Sequence, residues 1–213
     1  MSIVKLNNRS VKDITAFGSI TSLGSLTHIA TQTASSSASI SFTSGIDNTY
    51  KEYIFYFVDI HGSGDTADLK FQTSTDTGGS YGVTVTTTDF LSYHNESGSD
   101  SALTYNSGHD LAQSTSFMQL SQDMGADNDQ CAVGTLHLFN PSSTTFSKHY
   151  LSRFNNSHDS NYSMGNFGAG YFNTTQAIDA VKFQMSSGNI DRTDIAIWIK
   201  LTYKELLWQI DIN

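Results

Sequence analysis

Tyr50-Lys51-Glu52-Tyr53-Ile54-Phe55-Tyr56-Phe57-Val58-Asp59-Ile60 is the densest apolar run in the chain, and its reading decides the fold. Aromatic and β-branched side chains suit a pleated, half-buried surface. Side chains alternate across a strand, so Tyr53, Phe55 and Phe57 share one face while Ile54, Tyr56, Val58 and Ile60 share the other. Both faces are apolar. Such a strand belongs inside a sheet and is covered on both sides. One cover is the domain's own core. The other is expected to be residues 89–111, the end of the chain near residues 206–210, or a sister subunit.

The composition agrees with an all-β chain. Only 15% of the 213 residues are charged, a single proline is present, and about a quarter are Ser or Thr. Strands with polar outer faces use such residues, whereas helix surfaces lean on Glu and Lys. Aromatic residues make up 12%, enough to build a core and to exclude a disordered chain.

The net charge is −9, with 11 basic residues against 20 acidic ones. No Lys/Arg run exists to neutralise phosphates, so neither nucleic acid nor an anionic membrane is an expected partner. Cys131 is the only cysteine, so no intramolecular disulfide can form, and it reads as a small buried hydrophobe. The opening residues lack the apolar stretch of a signal peptide, so synthesis in a cytosol is expected.

Taken in order, residues 1–26 read as an extended arm, small and polar with isolated apolar positions. Residues 27–202 carry the strands of one domain, and residues 203–213 form a short extension. Strand patterns occur at 38–43, 67–73, 81–88, 114–120, 131–139, 147–154 and 164–172. Segments 67–73 and 81–88 are expected to pair as a hairpin about Asp76-Thr77-Gly78-Gly79. Segments 181–186 and 195–202 alternate most cleanly and read as a second hairpin. Residues 89–111 show no clear period. About ten antiparallel strands with regular turns predict a two-sheet β-sandwich of jelly-roll type.

No pattern of catalytic residues emerges. His137 and His149 are the best histidine pair, expected to face one another across a hairpin. Zinc would require two further ligands, so they read as stacked, hydrogen-bonded strand residues. Asp127, Asn128 and Asp129 offer loop oxygens without the spacing of a calcium loop. Residues 74–81 are similar to the Asp-box turn of sialidases, which braces a hairpin and is no active site. His61-Gly62-Ser63-Gly64-Asp65 is a strand-ending loop rather than a nucleophile elbow. Asp59, Glu52 and Glu96 are carboxylates without a spacing that pairs them. No catalytic, cofactor-binding or metal-binding residue is expected.

Five stretches carry a resemblance: residues 10–17, 43–53, 136–146, 170–175 and 183–190. Together they resemble virion structural proteins (tail-fibre-like or capsid-decoration) of marine tailed bacteriophages, over most of residues 1–200. The chain departs from that pattern at its end, continuing through Leu206, Leu207 and Trp208. The resemblance implies a non-enzymatic virion protein, displayed as a tail appendage or capsid decoration and assembled in the host bacterial cytoplasm. It would attach to other virion proteins through the arm, and a homotrimer is expected. The alternative is a lectin-like, carbohydrate-binding module that recognises host surface glycans. Exposed aromatic rings beside polar groups form such sites, and Tyr93, Tyr105, Tyr162 and Trp198 are the candidates.

Overall fold

The computed structural model describes residues 26–200, and of residues 193, 194 and 196–200 only the backbone. Twelve strands follow one another: β1 (Leu26–Ser37), β2 (Ile40–Phe42), β3 (Glu52–Gly62), β4 (Ala67–Ser74), β5 (Val85–Asn95), β6 (Ser101–Tyr105), β7 (Met118–Met124), β8 (Ala132–Phe139), β9 (Lys148–Ser157), β10 (Tyr162–Phe172), β11 (Ala180–Met185) and β12 (Ile190–Lys200). They form an eight-stranded sheet in the order β1-β12-β3-β8-β9-β10-β5-β6 and a four-stranded sheet in the order β2-β11-β4-β7. The strand pairs are antiparallel. The architecture is a β-sandwich.

β3 lies inside the larger sheet, between β12 and β8. Tyr53, Phe55 and Phe57 point into the core, as alternation requires. Phe183 of β11 meets them from the other sheet, 5.5 Å from Phe55 and 5.0 Å from Phe57 between ring centroids. It also touches Phe42 and Phe71 within its own sheet. Edge-to-face contacts with Phe42, Phe55 and Phe57 and the stacked contact with Phe71 add to the burial of the rings themselves.

Ile60 departs from the expected face. The β3–β8 register shifts between Phe57 and Ile60, and Asp59 takes a left-handed φ of 52°. A bulge places an extra residue in one strand and re-aims the side chains beyond it. Ile60 therefore turns into the core with Phe57. On the outer face Ile54 is buried, Tyr56 is half-buried and Val58 is 52% exposed. Residues 89–111 do not cover them. They contribute β5 and β6, which pair as a hairpin at the opposite edge of the sheet.

Two expected hairpins are not hairpins. β4 pairs with β11 and β7, while β5 pairs with β10 and β6. β11 pairs with β2 and β4, while β12 pairs with β1 and β3. In both cases the intervening turn carries the chain from one sheet to the other. The expected arm at 1–26, except Leu26 at the start of β1, and the extension at 203–213 lie outside the described residues.

The turn after β4 is braced by Asp76. Its carboxylate accepts hydrogen bonds from the Ser74 hydroxyl (2.6 Å), the Ser80 hydroxyl (2.7 Å) and the Ser80 amide (2.9 Å). Those bonds hold its pKa down to about 2. A depressed carboxylate stabilises the fold above its unfolded pKa and loses that contribution as pH falls through its folded one. Asp76→Ala is therefore expected to lower the melting temperature at neutral pH. The gap to the wild type should close as pH falls from 3.8 toward about 2. Thermal melts followed by circular dichroism across that range check both statements.

Candidate functional site

The larger sheet is twice as wide as the smaller one. β7 packs over β9 and β10, so the inner face of β5 and β6 projects beyond it. This overhang forms a groove of about 430 Å³. Leu91 and Met164, both buried, make its apolar floor. They are there because Leu91, Tyr93, Tyr162 and Met164 all fall on the inward-facing alternation of β5 and β10, paired in adjacent registers.

Three half-buried rings stand in the groove. Tyr162 lies 5.7 Å from Tyr93, edge to face, and 5.6 Å from the His158 imidazole. The Tyr162 hydroxyl donates to Asp100 Oδ2 at 3.1 Å. That bond, which exists only while the phenol keeps its proton, raises the tyrosine pKa. The His158 ring is positioned at Nδ1 by the Asp159 carboxylate, 2.5 Å away, and by the Ser160 amide at 2.9 Å. Its Nε2 faces Asp123 Oδ2 at 4.0 Å.

Asp123 is held in an unusual conformation. Its φ is 47°, a left-handed region that Asp tolerates better than most residues, at a point where the β4–β7 register is irregular. The Asp68 carboxylate fixes it by accepting from the Asp123 amide at 3.1 Å. Gln122 donates to Asp123 Oδ2 at 2.8 Å. The groove thus combines ring edges and faces with carboxylate, amide and hydroxyl groups, the chemistry that recognises a hydroxylated ring.

Behind the groove sits a buried polar network. Asp89 is 6% exposed. It accepts from the Asn106 side chain at 2.9 Å, and its backbone carbonyl accepts from the Asn106 amide at 2.9 Å. Asn106 also donates to Gln122 Oε1 at 2.6 Å, tying the network to the groove. Burial pushes the Asp89 pKa up to about 6, against the pull of the Asn106 hydrogen bond and the His109 ring.

Of the four expected aromatic candidates, Tyr93 and Tyr162 come together here. Tyr105 lies on the other face of the sheet, opposite Phe90, with its hydroxyl donating to Asp110 at 2.6 Å. The side chain of Trp198 lies outside the described residues. His158, Asp100 and Asp123 carry no sequence signal that marks them as groove residues. No local spacing links them to the tyrosines, and only the β5–β10 pairing and the overhang bring them close.

His137 and His149 share the outer face but are not opposite one another. The register pairs His137 with Leu151 and His149 with Phe139. His137 hydrogen-bonds Glu52 Oε1 at 2.8 Å, and His149 packs against Tyr171. Asp127, Asn128 and Asp129 are exposed in the β7–β8 loop. Among the described residues no group of three or more His, Cys, Asp or Glu side chains is placed to hold a metal ion. Cys131 is half-buried rather than buried.

No family of known proteins, no characterised protein and no solved structure matches this chain.

Proposed function

We propose that the chain is a non-enzymatic component of a bacteriophage particle whose β-sandwich binds host-surface glycan in the Tyr93–Tyr162 groove. The observation that carries the reading is the groove itself: three rings over an apolar floor, with Asp100, Asp123 and Gln122 as hydrogen-bonding groups. Both carboxylates already accept hydrogen bonds from neighbouring side chains. Assembly as a homotrimer, attached to other virion proteins through residues 1–26, belongs to the same proposal.

The strand order supports it. With β5, β6, β9 and β10 set aside, the sheets read β1-β12-β3-β8 and β2-β11-β4-β7. We infer that this nested winding is a jelly roll, in which the two hairpins β5–β6 and β9–β10 extend one sheet. Viral capsid and lectin domains share that plan. The role on a particle rests on the resemblance noted in the sequence at residues 10–17, 43–53, 136–146, 170–175 and 183–190.

A glycan array probed with the intact protein should show a restricted set of bound neutral oligosaccharides. Tyr162→Ala should weaken those hits by ~2- to 10-fold, since one well-placed ring contact is worth ~0.5–1.5 kcal/mol. A flat array, or hits indifferent to the substitution, would count against the reading.

A further inference from the structure

The outer face of the same strands carries a second, different constellation. Arg153 of β9, Phe167 of β10, Phe90 of β5 and Tyr105 of β6 lie in one cross-strand row. Phe90 and Phe167 stack face to face, 4.8 Å apart and 7° from parallel. The Arg153 guanidinium lies over the Phe167 ring at 5.5 Å. At this distance the ring attracts the cation and gives the guanidinium an apolar side to rest against.

Next to this row the sheet is hollowed. Gly165 has no side chain, and a Cβ there would sit 2.9 Å from Ser92 Oγ and 3.4 Å from the Phe167 ring. The hollow measures about 400 Å³ and is rimmed by Arg153, Asn155, Ser163, Ser92 and His94. Asn155 is locked in place, donating to Ser163 Oγ at 3.1 Å and to the Met164 carbonyl at 3.0 Å. No Asp or Glu lines the hollow, and Arg153 makes no ion pair among the described residues. In a chain of net charge −9, a guanidinium at the rim of a hollow whose own lining carries no carboxylate is an anion-binding group.

We propose that this hollow is a subsite for a carboxylated sugar, such as a uronic-acid residue of a polysaccharide. The planar carboxylate matches the fork of Arg153, which can donate two parallel hydrogen bonds. The ring hydroxyls match Ser92, Ser163, Asn155 and His94. The site lies on the opposite face of β5 and β10 from the tyrosine groove, and Tyr93 is the one residue that borders both. It takes its class of ligand from the glycan-binding reading, but its location is independent of it.

The test is calorimetric titration of the full chain with oligogalacturonate and with its neutral methyl ester. The acid form should bind, and the ester at least ~10-fold more weakly. Arg153→Gln should cost the acid form ~10-fold or more, as expected for loss of a charge-assisted pair. Gly165→Val, which fills the hollow and leaves the charge, should weaken it similarly. Tyr162→Ala should leave this binding unchanged, which separates the fate of this site from that of the groove. No binding of oligogalacturonate, equal binding of the ester, tighter binding of a sulfated oligosaccharide, or indifference to Arg153→Gln would each overturn the proposal.

Discussion

Phe183→Ala is expected to lower the unfolding free energy by about 3–5 kcal/mol, the range for truncating a buried aromatic side chain. Phe183 is fully buried and is the ring at which the two sheets meet. It contacts Phe55 and Phe57 across the sandwich and Phe42 and Phe71 beside it. Its removal would open a cavity lined by four other rings, none of which can collapse without moving its own strand. Urea denaturation should show a lower midpoint with an unchanged slope, because the surface exposed on unfolding hardly changes. Should the alanine variant not fold, Phe183→Leu, which leaves a smaller cavity, should fold with a smaller loss than the alanine variant. A cost under about 1 kcal/mol for the alanine variant would mean that Phe183 is not the packing centre of the sandwich.

Asp89→Asn is expected to stabilise the protein at neutral pH by about 2 kcal/mol. The sign comes from the direction of the shift. Burial raises the folded pKa of Asp89 from 3.8 to about 6, so the folded state holds its proton more tightly than the unfolded chain does. Stability from this group is present at low pH and is lost as pH rises from 3.8 to about 6. Each tenfold change in proton affinity is worth ~1.4 kcal/mol, and solvent screening at the rim of the network trims the total to about 2 kcal/mol. Asparagine keeps an acceptor for the Asn106 side chain and carries no charge. Denaturation midpoints measured in steps across the acid range should diverge as pH rises and converge as it falls. A variant that tracks the wild type at every pH would show that Asp89 is not held in the raised state.

Much of the fold is legible in the sequence, and the limits have a physical cause. Alternation in residues 53–57 and 181–185 states which face of each strand is buried, and those faces are the ones in the core. The same alternation does not state which strand lies beside which. Turn chemistry at Asp76-Thr77-Gly78-Gly79 and at Ser187-Gly188-Asn189 marks a reversal of the chain. A reversal can close a hairpin or cross a sandwich, and here both turns cross. The bulge at Asp59 has no sequence signature, and so Ile60 is misassigned by simple counting.

Residues 89–111 hide two strands because neither face is cleanly apolar. Asp89 and Thr87 point inward while Phe90 points outward, the reverse of the usual pattern. That inversion is itself informative. An acid turned inward and a phenylalanine turned outward on one strand mark a polar network on one side and a ring stack on the other. The aromatic content of the groove is legible through Tyr93 and Tyr162. Its polar half is not, since Asp100, Asp123 and His158 come from three different connections and strands. Their convergence depends on how far the larger sheet overhangs the smaller, a property of strand order that local sequence does not encode.

Whether the overhang is a glycan site is tested most directly by mapping where a bound oligosaccharide sits. Backbone and imidazole NMR shifts should be followed during titration with a neutral oligosaccharide selected from the array. The largest changes are expected at Tyr93, Asp123, His158 and Tyr162, with little change at Arg153 and Gly165. Saturating shifts centred elsewhere on the sandwich, with those four residues unmoved, would contradict a glycan site in the groove.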